Sequence, residues 1–237
     1  MHKACDDEIP LQDPHAKIPT GAVYKTTWQE DEALQKYLHE DLPTGKVRRS
    51  RLATGAQILF VRNKDGSLRL VIAYRVLNRL TIPNKYPLPL ISELLDKTRA
   101  CKWYTRLHLK NGFNLIRVAA GHEWKTAFPA KKGRFEYTVM PFGLTNAPTT
   151  LQEMMRTIFK DEEGCVWYID DTLIYGGTTE AEHQAFVTKV LQQCVKHVLA
   201  VNLTKSEFHV HETIFLVHIV KGSQVQMDPA KLETMSN

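Results

Sequence analysis

Several features are scarce or missing in this sequence of 237 residues, and each absence excludes a class of protein. The four cysteines are scattered and form no CxxC pair, so neither a zinc ribbon nor a disulfide framework is indicated. There is no run of eighteen apolar residues, and the N-terminus leads straight into acidic residues, unlike a secretory leader. Internal repeats and low-complexity tracts are also missing. We therefore expect an intracellular globular protein, in the cytoplasm or the nucleus, with no membrane partner; the sequence specifies neither compartment nor oligomeric state.

Charge is distributed unevenly along the chain, although the formal total is only +5. The first 45 residues carry four basic and nine acidic side chains, whereas the segment 46–79 carries nine basic side chains and one acid. The basic side chains of this segment, called the basic block below, are Lys46, Arg48, Arg49, Arg51, Arg62, Lys64, Arg69, Arg75 and Arg79. Such a block suits a polyanion, because each cation that neutralises a phosphate releases condensed counterions. A solvated surface is the alternative.

Hydrophobic periodicity predicts a mixed α/β domain. The proline-rich residues 1–26 should form an extended tail or strap. Thr27 and Glu30 form a capping box that begins a helix, and Pro43, Thr44 and Gly45 end it. Further helices are predicted at 90–97, 151–159 and 179–198, and strands at 57–61, 68–74, 103–109, 135–140 and 213–220. The first two strands form a hairpin around a turn at 63–66, which would place the basic block on that hairpin.

An acidic dipeptide interrupts the apolar segment 165–175, a pattern that predicts two buried strands joined by a turn. Asp170 and Asp171 would then share a tight turn, where two desolvated carboxylates need cations. A pair of Mg²⁺ ions would meet that need, as in two-metal nucleotidyl transfer. A solvated turn is the alternative, because Asp6 and Asp7 form the same dipeptide in the N-terminal segment.

The motifs around this dipeptide decide between the alternatives. From about Ile9 to the C-terminus, the chain resembles the reverse transcriptase of gypsy-class long-terminal-repeat retroelements. The matching segments occur in the family's order and are Ile58–Val61, Asn63–Leu70, Tyr74–Asn78, Thr81–Pro89, Lys125–Phe128, Met140–Pro148, Tyr168–Asp171, Leu173–Tyr175, Glu182–His183 and Leu203–Lys205. The resemblance implies template-directed addition of deoxynucleotides to a primer, with two Mg²⁺ ions held by Asp170 and Asp171.

The resemblance also implies a fold, described as a right hand. We expect fingers at about 27–100 and 114–148, a palm with a ferredoxin-like antiparallel sheet at about 101–113 and 149–220, and only the beginning of a thumb at 221–237. An RNA or DNA template-primer would be the partner. The side chains expected to contact its phosphates are Lys46, Arg48, Arg49, Arg51, Arg62, Arg75 and Arg79.

Residues of the deoxynucleotide (dNTP) pocket are implied in the same way. Arg69 corresponds to the arginine that grips the triphosphate, with Lys64 assisting, a task that suits a planar cation with several donors. Phe113 falls at the steric-gate position, where an aromatic ring excludes a ribose 2′-hydroxyl. Phe142 and Gly143 line the same pocket, and the glycine lets backbone approach the substrate. Core packing is the alternative role for both phenylalanines.

One departure from the family affects the catalytic centre directly. His108 stands where the family has its third metal-binding aspartate. Imidazole is a poor ligand for Mg²⁺ and has no second oxygen with which to bridge two ions. We therefore expect weakened metal binding and impaired turnover, unless another carboxylate substitutes or Mn²⁺, which tolerates imidazole better, replaces Mg²⁺.

Other departures concern the backbone. Val198 and Val217 replace glycines, Ala73 replaces an aspartate, and Arg49 and Ala53 lie near expected prolines. β-Branched residues adopt a positive φ poorly, so the two valines threaten turn geometry. The changes from aspartate to His108 and to Ala73 are each reachable by one nucleotide change, as expected of a decaying element copy. Three hypotheses follow: an active RNA-directed DNA polymerase, a silent nucleic-acid-binding domain, or an inert relic.

Overall fold

The computed structural model describes residues 6–18, 25–52, 55–63, 65–99 and 101–229. The helices are α1 (Trp28–Thr44), α2 (Arg75–Leu80), α3 (Ile91–Lys97), α4 (Ala147–Ile158) and α5 (Glu180–Lys196). The strands are β1 (Asp6–Asp7), β2 (Val47–Arg49), β3 (Gln57–Arg62), β4 (Leu68–Ala73), β5 (Tyr104–His108), β6 (Arg117–Val118), β7 (Phe128–Ala130), β8 (Gly133–Tyr137), β9 (Cys165–Tyr168), β10 (Asp171–Ile174), β11 (Glu207–Val210), β12 (Thr213–Phe215), β13 (His218–Lys221) and β14 (Gln224–Met227). No helix within these ranges is long and apolar enough to cross a membrane.

The described residues form two compact units. Unit I comprises 6–84 and 113–150, and unit II comprises 85–112 and 151–229. Unit I contains the three-stranded sheet β2-β8-β7, the β3-β4 hairpin and the parallel pair β1-β6. Unit II contains the four-stranded sheet β11-β5-β10-β9 and the three-stranded sheet β12-β13-β14. The larger sheet of unit II is antiparallel throughout, as expected for the palm.

Helix α1 follows the sequence signals at both of its ends. The Thr27 side chain accepts from the Glu30 N–H, and the Glu30 carboxylate accepts from the Thr27 N–H over 2.8 Å. Gly45 closes the helix with φ of 75°, a left-handed conformation that glycine adopts without steric cost. A second capping box, between Thr179 and Glu182, begins α5. Both predicted helix starts are therefore confirmed.

The N-terminal segment packs on unit I through its own backbone. The Ile9 N–H donates to His122 Nδ1 over 2.8 Å, and Lys125 Nζ donates to the Ile9 carbonyl over 2.6 Å. The side chains of Ile9, Leu11 and Ile18 are buried. Apart from β1, this segment has no strand or helix among residues 6–18, and it is held by its neighbours as a strap.

The basic block does not lie on the β3-β4 hairpin as a whole, contrary to expectation. Strands 57–62 and 68–73 pair in register, which confirms the hairpin, but of the block's described residues only Arg62 and Arg69 belong to it. Arg48 and Arg49 lie on β2, while Arg75 and Arg79 lie on α2. Strand β2 was not predicted, because it is only three residues long and exposes two of them.

The predicted strand 213–220 is two strands. β12 and β13 pair with each other, with Phe215 opposite His218, so the chain reverses at Leu216 and Val217. Both residues have a positive φ, 48° and 63° respectively. Turns of this kind usually carry Gly or Asn. The apolar run here has the pattern of one continuous strand, and only the family's glycine at the position of Val217 pointed to a turn.

Candidate active site

Two carboxylates stand at the tip of a tight hairpin in unit II. Strands β9 and β10 pair so that Tyr168 faces Asp171, which leaves Ile169 and Asp170 as the two connecting residues. Ile169 has φ of 56°, a left-handed conformation that costs a residue with a side chain about 1–2 kcal/mol. Leu109, the residue that follows strand β5, holds the connection, since its N–H donates to the Asp170 carbonyl over 2.9 Å. The predicted strand pair with an acidic turn is therefore confirmed.

The carboxylate of Asp170 lies in a half-buried position where its charge is poorly compensated. Its Oδ1 atom is buried and has no hydrogen-bond partner within the described part of the chain. Burial raises the pKa of the Asp170 carboxyl, and the neighbouring charge of Asp171 raises it further, while His108 and Lys205 offset part of the effect. A buried carboxylate oxygen without a donor is an oxygen available to a cation.

His108 lies beside the second carboxylate. It is the last residue of β5 and the direct ladder partner of Asp171. Its Nδ1 atom lies 2.9 Å from the Asp171 Oδ1 atom, and its backbone N–H donates to Ser206 Oγ over 3.2 Å. His108 thus lies next to one of the two predicted metal-binding carboxylates, and its correspondence to the third carboxylate stays a prediction. No cluster of three or more His, Cys, Asp or Glu side chains able to hold a metal ion occurs among the residues described.

The donor set therefore fits a cation only in part. Asp170 contributes a free buried oxygen, and carboxylate oxygens are the ligands that Mg²⁺ prefers. One oxygen of Asp171 is already engaged by His108. These residues suit a single divalent ion, whereas a pair of ions needs a bridging carboxylate that His108 does not provide.

Two further residues of this site, Gly112 and Gln152, were not predicted from the sequence. A Cβ atom at Gly112 would overlap the Asp170 Oδ1 atom and press on Leu151, so only glycine leaves space for the carboxylate. Gln152, on α4, accepts a hydrogen bond from the Ile169 N–H over 2.8 Å. Neither residue belongs to a local chemical motif, because both contacts form only when distant segments of unit II fold together.

The residues predicted to bind the nucleotide lie in unit I, except for Lys64, which falls outside the described residues. Arg69 is exposed on β4, opposite Val61. The rings of Phe113 and Phe142 meet edge to face with centroids 5.2 Å apart. Phe142 is 57% exposed, so core packing does not account for it. Their roles toward a nucleotide stay predictions.

Some side chains of the basic block are engaged in contacts with other residues of the chain. Arg48 contacts Glu136 at 2.8 Å and Glu123 at 3.2 Å, and these contacts raise the pKa of its guanidinium. Lys46 lies 3.8 Å from Asp41. Arg49 donates to the Lys132 carbonyl over 3.3 Å. The exposed side chains of the block outside these contacts are Arg51, Arg62, Arg69, Arg75 and Arg79.

A family model described as reverse transcriptase (RNA-dependent DNA polymerase) matches residues 61–220. The chain belongs to the reverse transcriptase family. The Tf2-3 and Tf2-7 transposon polyproteins of Schizosaccharomyces pombe are each 36% identical to this reverse transcriptase chain over 216 residues. Each match covers 90% of this chain and 16% of the polyprotein.

Solved structures agree with this assignment at the level of fold. The foamy viral protease-reverse transcriptase in complex with an RNA/DNA hybrid has a TM-score of 0.86 and 20% identity, covering 97% of this chain and 31% of that one. The same viral protein in a form bound to double-stranded DNA has a TM-score of 0.88 and 21% identity, covering 100% of this chain and 41% of that one. The expected reverse transcriptase fold and the resemblance to gypsy-class retroelements are confirmed.

Proposed function

We propose that this chain is the polymerase domain of a retrotransposon reverse transcriptase in which template-directed DNA synthesis is impaired by His108. The observation that carries the proposal is the 2.9 Å contact between His108 Nδ1 and Asp171 Oδ1. A nitrogen ligand that is already bonded to one metal-binding carboxylate cannot bridge two Mg²⁺ ions. The family reaction then lacks one of the carboxylates that hold the metal ions, and with it part of the electrostatic stabilisation of the reacting phosphate.

Within this proposal, each residue has a defined task. Asp170 and Asp171 would hold a divalent ion, which when bound supplies Lewis-acid stabilisation of the reacting phosphate. Gly112 leaves space for the Asp170 carboxylate. His108 orients Asp171 and withholds one of its oxygens. Mn²⁺ should serve better than Mg²⁺, because it accepts imidazole more readily.

The proposed partners are an RNA or DNA template-primer and a deoxynucleoside triphosphate. Support for the template-primer comes from the foamy viral relatives, which were solved with an RNA/DNA hybrid and with double-stranded DNA. The exposed arginines of the basic block supply charge for phosphates. Arg69, Phe113, Phe142 and Gly143 would form the nucleotide pocket, with Lys64 assisting Arg69. We propose an intracellular site of action, in the cytoplasm or the nucleus.

A second candidate function is a silent nucleic-acid-binding domain. It is favoured by the incomplete metal-ligand set, because loss of the bridging carboxylate leaves phosphate binding by exposed arginines intact. An inert relic of an element is the third possibility. These alternatives differ in whether the chain extends a primer and whether it binds nucleic acid.

Primer extension on an RNA template separates the first candidate from the others. We expect wild-type extension in Mg²⁺ to be roughly 100-fold slower than that of His108→Asp, which corresponds to about 2.7 kcal/mol of barrier. In Mn²⁺, the difference in extension rate between wild type and His108→Asp should be smaller. The matched control is His211→Asp, at an exposed histidine of unit II whose Nδ1 atom donates to the Lys102 carbonyl and whose ring contacts Trp103. Wild-type extension as fast as His108→Asp would refute the proposed impairment.

Salt-dependent binding separates the second candidate from the third. Retained phosphate contacts predict an affinity that falls steeply as ionic strength rises, and Arg75→Gln should reduce the logarithmic slope by about one. Arg99→Gln is the control, since Arg99 pairs with Asp96 at 3.0 Å in unit II. Binding that neither responds to salt nor changes with Arg75→Gln would leave only the inert relic.

A further inference from the structure

The hairpin that carries Asp170 contains a residue poorly suited to its conformation. Ile169 is β-branched and has φ of 56°, where glycine would fit without strain. Its conformation therefore depends on contacts from outside the hairpin. A hydrogen bond to the backbone of Ile169 therefore helps to fix the position of the next residue, Asp170.

Gln152 provides that bond from helix α4. Its Oε1 atom accepts from the Ile169 N–H over 2.8 Å, and its Nε2 atom donates to the Trp167 carbonyl over 3.3 Å. A single side-chain amide thus joins two backbone groups on either side of Tyr168. Gln152 is only 6% exposed, so water competes poorly for these bonds.

The side chain of Asp170 has little else to fix it. Its Oδ1 atom has no hydrogen-bond partner within the ranges described. Its backbone carbonyl accepts from the Leu109 N–H over 2.9 Å. The hairpin tip is therefore held from two sides, by Leu109 after β5 and by Gln152. The position of the Asp170 carboxylate depends on how the backbone at this tip is held.

We propose that Gln152 is a positioning residue for the acidic turn, holding the Ile169 backbone so that Asp170 presents its buried oxygen to a divalent cation. Gln152 acts through Ile169 and contacts neither carboxylate directly. The effect on cation binding rests on the proposed function. The hydrogen bond from the Ile169 N–H to the Gln152 side chain does not depend on it. The two parts can be measured separately.

The experiment compares Gln152→Met with wild type in the full chain. Methionine keeps the length of the side chain and removes both bonds. We expect amide hydrogen exchange at Ile169, followed by NMR, to become at least tenfold faster, and the Mn²⁺ dissociation constant from an EPR titration to rise about tenfold. Gln193→Met is the matched control, because it removes one side-chain bond, to Glu162, elsewhere in unit II. It should change neither quantity by more than twofold.

Each result decides the inference. Unchanged exchange at Ile169, or faster exchange with unchanged Mn²⁺ affinity, would overturn the positioning role. If Gln152→Met fails to fold, Gln152→Glu decides, because it keeps an acceptor for the Ile169 N–H and should keep that amide protected; loss of protection there would overturn the role. If wild type binds no Mn²⁺ at all, the proposed metal function fails, and exchange at Ile169 alone decides whether Gln152 holds the turn.

Discussion

The Nδ1 atom of His108 lies 2.9 Å from the Oδ1 atom of Asp171, and the two residues face each other in the ladder between β5 and β10. This contact gives one carboxylate of the acidic turn a protein partner. The turn can therefore fold without a metal ion close to Asp171. An aspartate at position 108 would add a third negative charge where the histidine now bonds.

Replacing His108 should make the stability of the chain depend on metal. We expect His108→Asp to lower the free energy of unfolding by about 1–2 kcal/mol in EDTA, because like charges then face each other without a cation. Millimolar Mg²⁺ should restore most of this loss, since a ligand that binds the folded state stabilises it. Thermal unfolding with EDTA and with Mg²⁺ measures both effects.

His108→Asn is the control for this substitution. It also removes the imidazole but adds no charge, so its melting temperature should respond to Mg²⁺ no more than that of wild type. A His108→Asp protein whose melting temperature ignores Mg²⁺ would show that the position does not face a cation site.

Two valines occupy backbone positions that suit glycine. Val198 has φ of 55° and Val217 has φ of 63°, so each carries the cost of a left-handed conformation with a β-branched side chain. We expect Val198→Gly and Val217→Gly each to raise the free energy of unfolding by about 1 kcal/mol, as urea denaturation would measure. Val195→Gly, at an exposed helical position of α5, should instead lower it by roughly 0.5–1 kcal/mol. Destabilisation by all three changes would contradict the assigned strain.

Stability should fall in mild acid because of a buried histidine. His183 is fully buried; its Nδ1 atom donates to the Gly176 carbonyl over 2.7 Å, and its Nε2 atom lies 2.9 Å from the Thr105 hydroxyl. Thr105 Oγ1 also accepts from the His209 N–H over 3.1 Å, and its hydroxyl proton can donate to Nε2 when the imidazole is neutral. Burial lowers the pKa of His183, and the neighbouring His209 lowers it further, although the bond to Gly176 opposes the shift.

The sign of the pH effect follows from this lowered pKa. The unfolded chain takes up a proton on this histidine near pH 6.5, before the folded chain does. Stability is therefore complete above about pH 6.5 and falls as the pH drops toward the lower folded pKa. We expect His183→Asn to be less stable at pH 7.5 but to lose less stability between pH 7.5 and 5.5 than wild type. Urea denaturation at the two pH values measures these losses. If wild type and His183→Asn lost the same free energy of unfolding between pH 7.5 and 5.5, the result would contradict a neutral buried imidazole.

Elements with strong local signals were predictable from the sequence. The capping boxes at Thr27 and Thr179 begin helices where expected, because the side chains and backbone N–H groups of two residues three positions apart form the whole motif. The β3-β4 hairpin and the acidic hairpin were also predictable, since alternating or apolar runs flank a polar turn. The position of His108 near Asp171 followed from the resemblance to known reverse transcriptases.

Features that depend on tertiary packing were not predictable. Gly112 and Gln152 affect the acidic turn only after β5 and α4 have packed against it. The reversal at Leu216 and Val217 lies inside an apolar run without a turn residue, so hydrophobic periodicity predicted one strand there, and only the family's glycine at position 217 pointed to a turn. Strand β2 is too short to show a period and is defined by its pairing with β8.

The number of metal ions that the chain binds tests the central claim most directly. Mn²⁺ titration followed by EPR, in the presence of a primer-template and a nonhydrolysable deoxynucleotide, counts the ions held at the acidic turn. Asp170→Asn serves to identify ions bound elsewhere. We predict at most one turn-bound ion in wild type and two in His108→Asp. Two ions bound by wild type as tightly as by His108→Asp would contradict the claim that histidine at this position has disabled the two-metal centre.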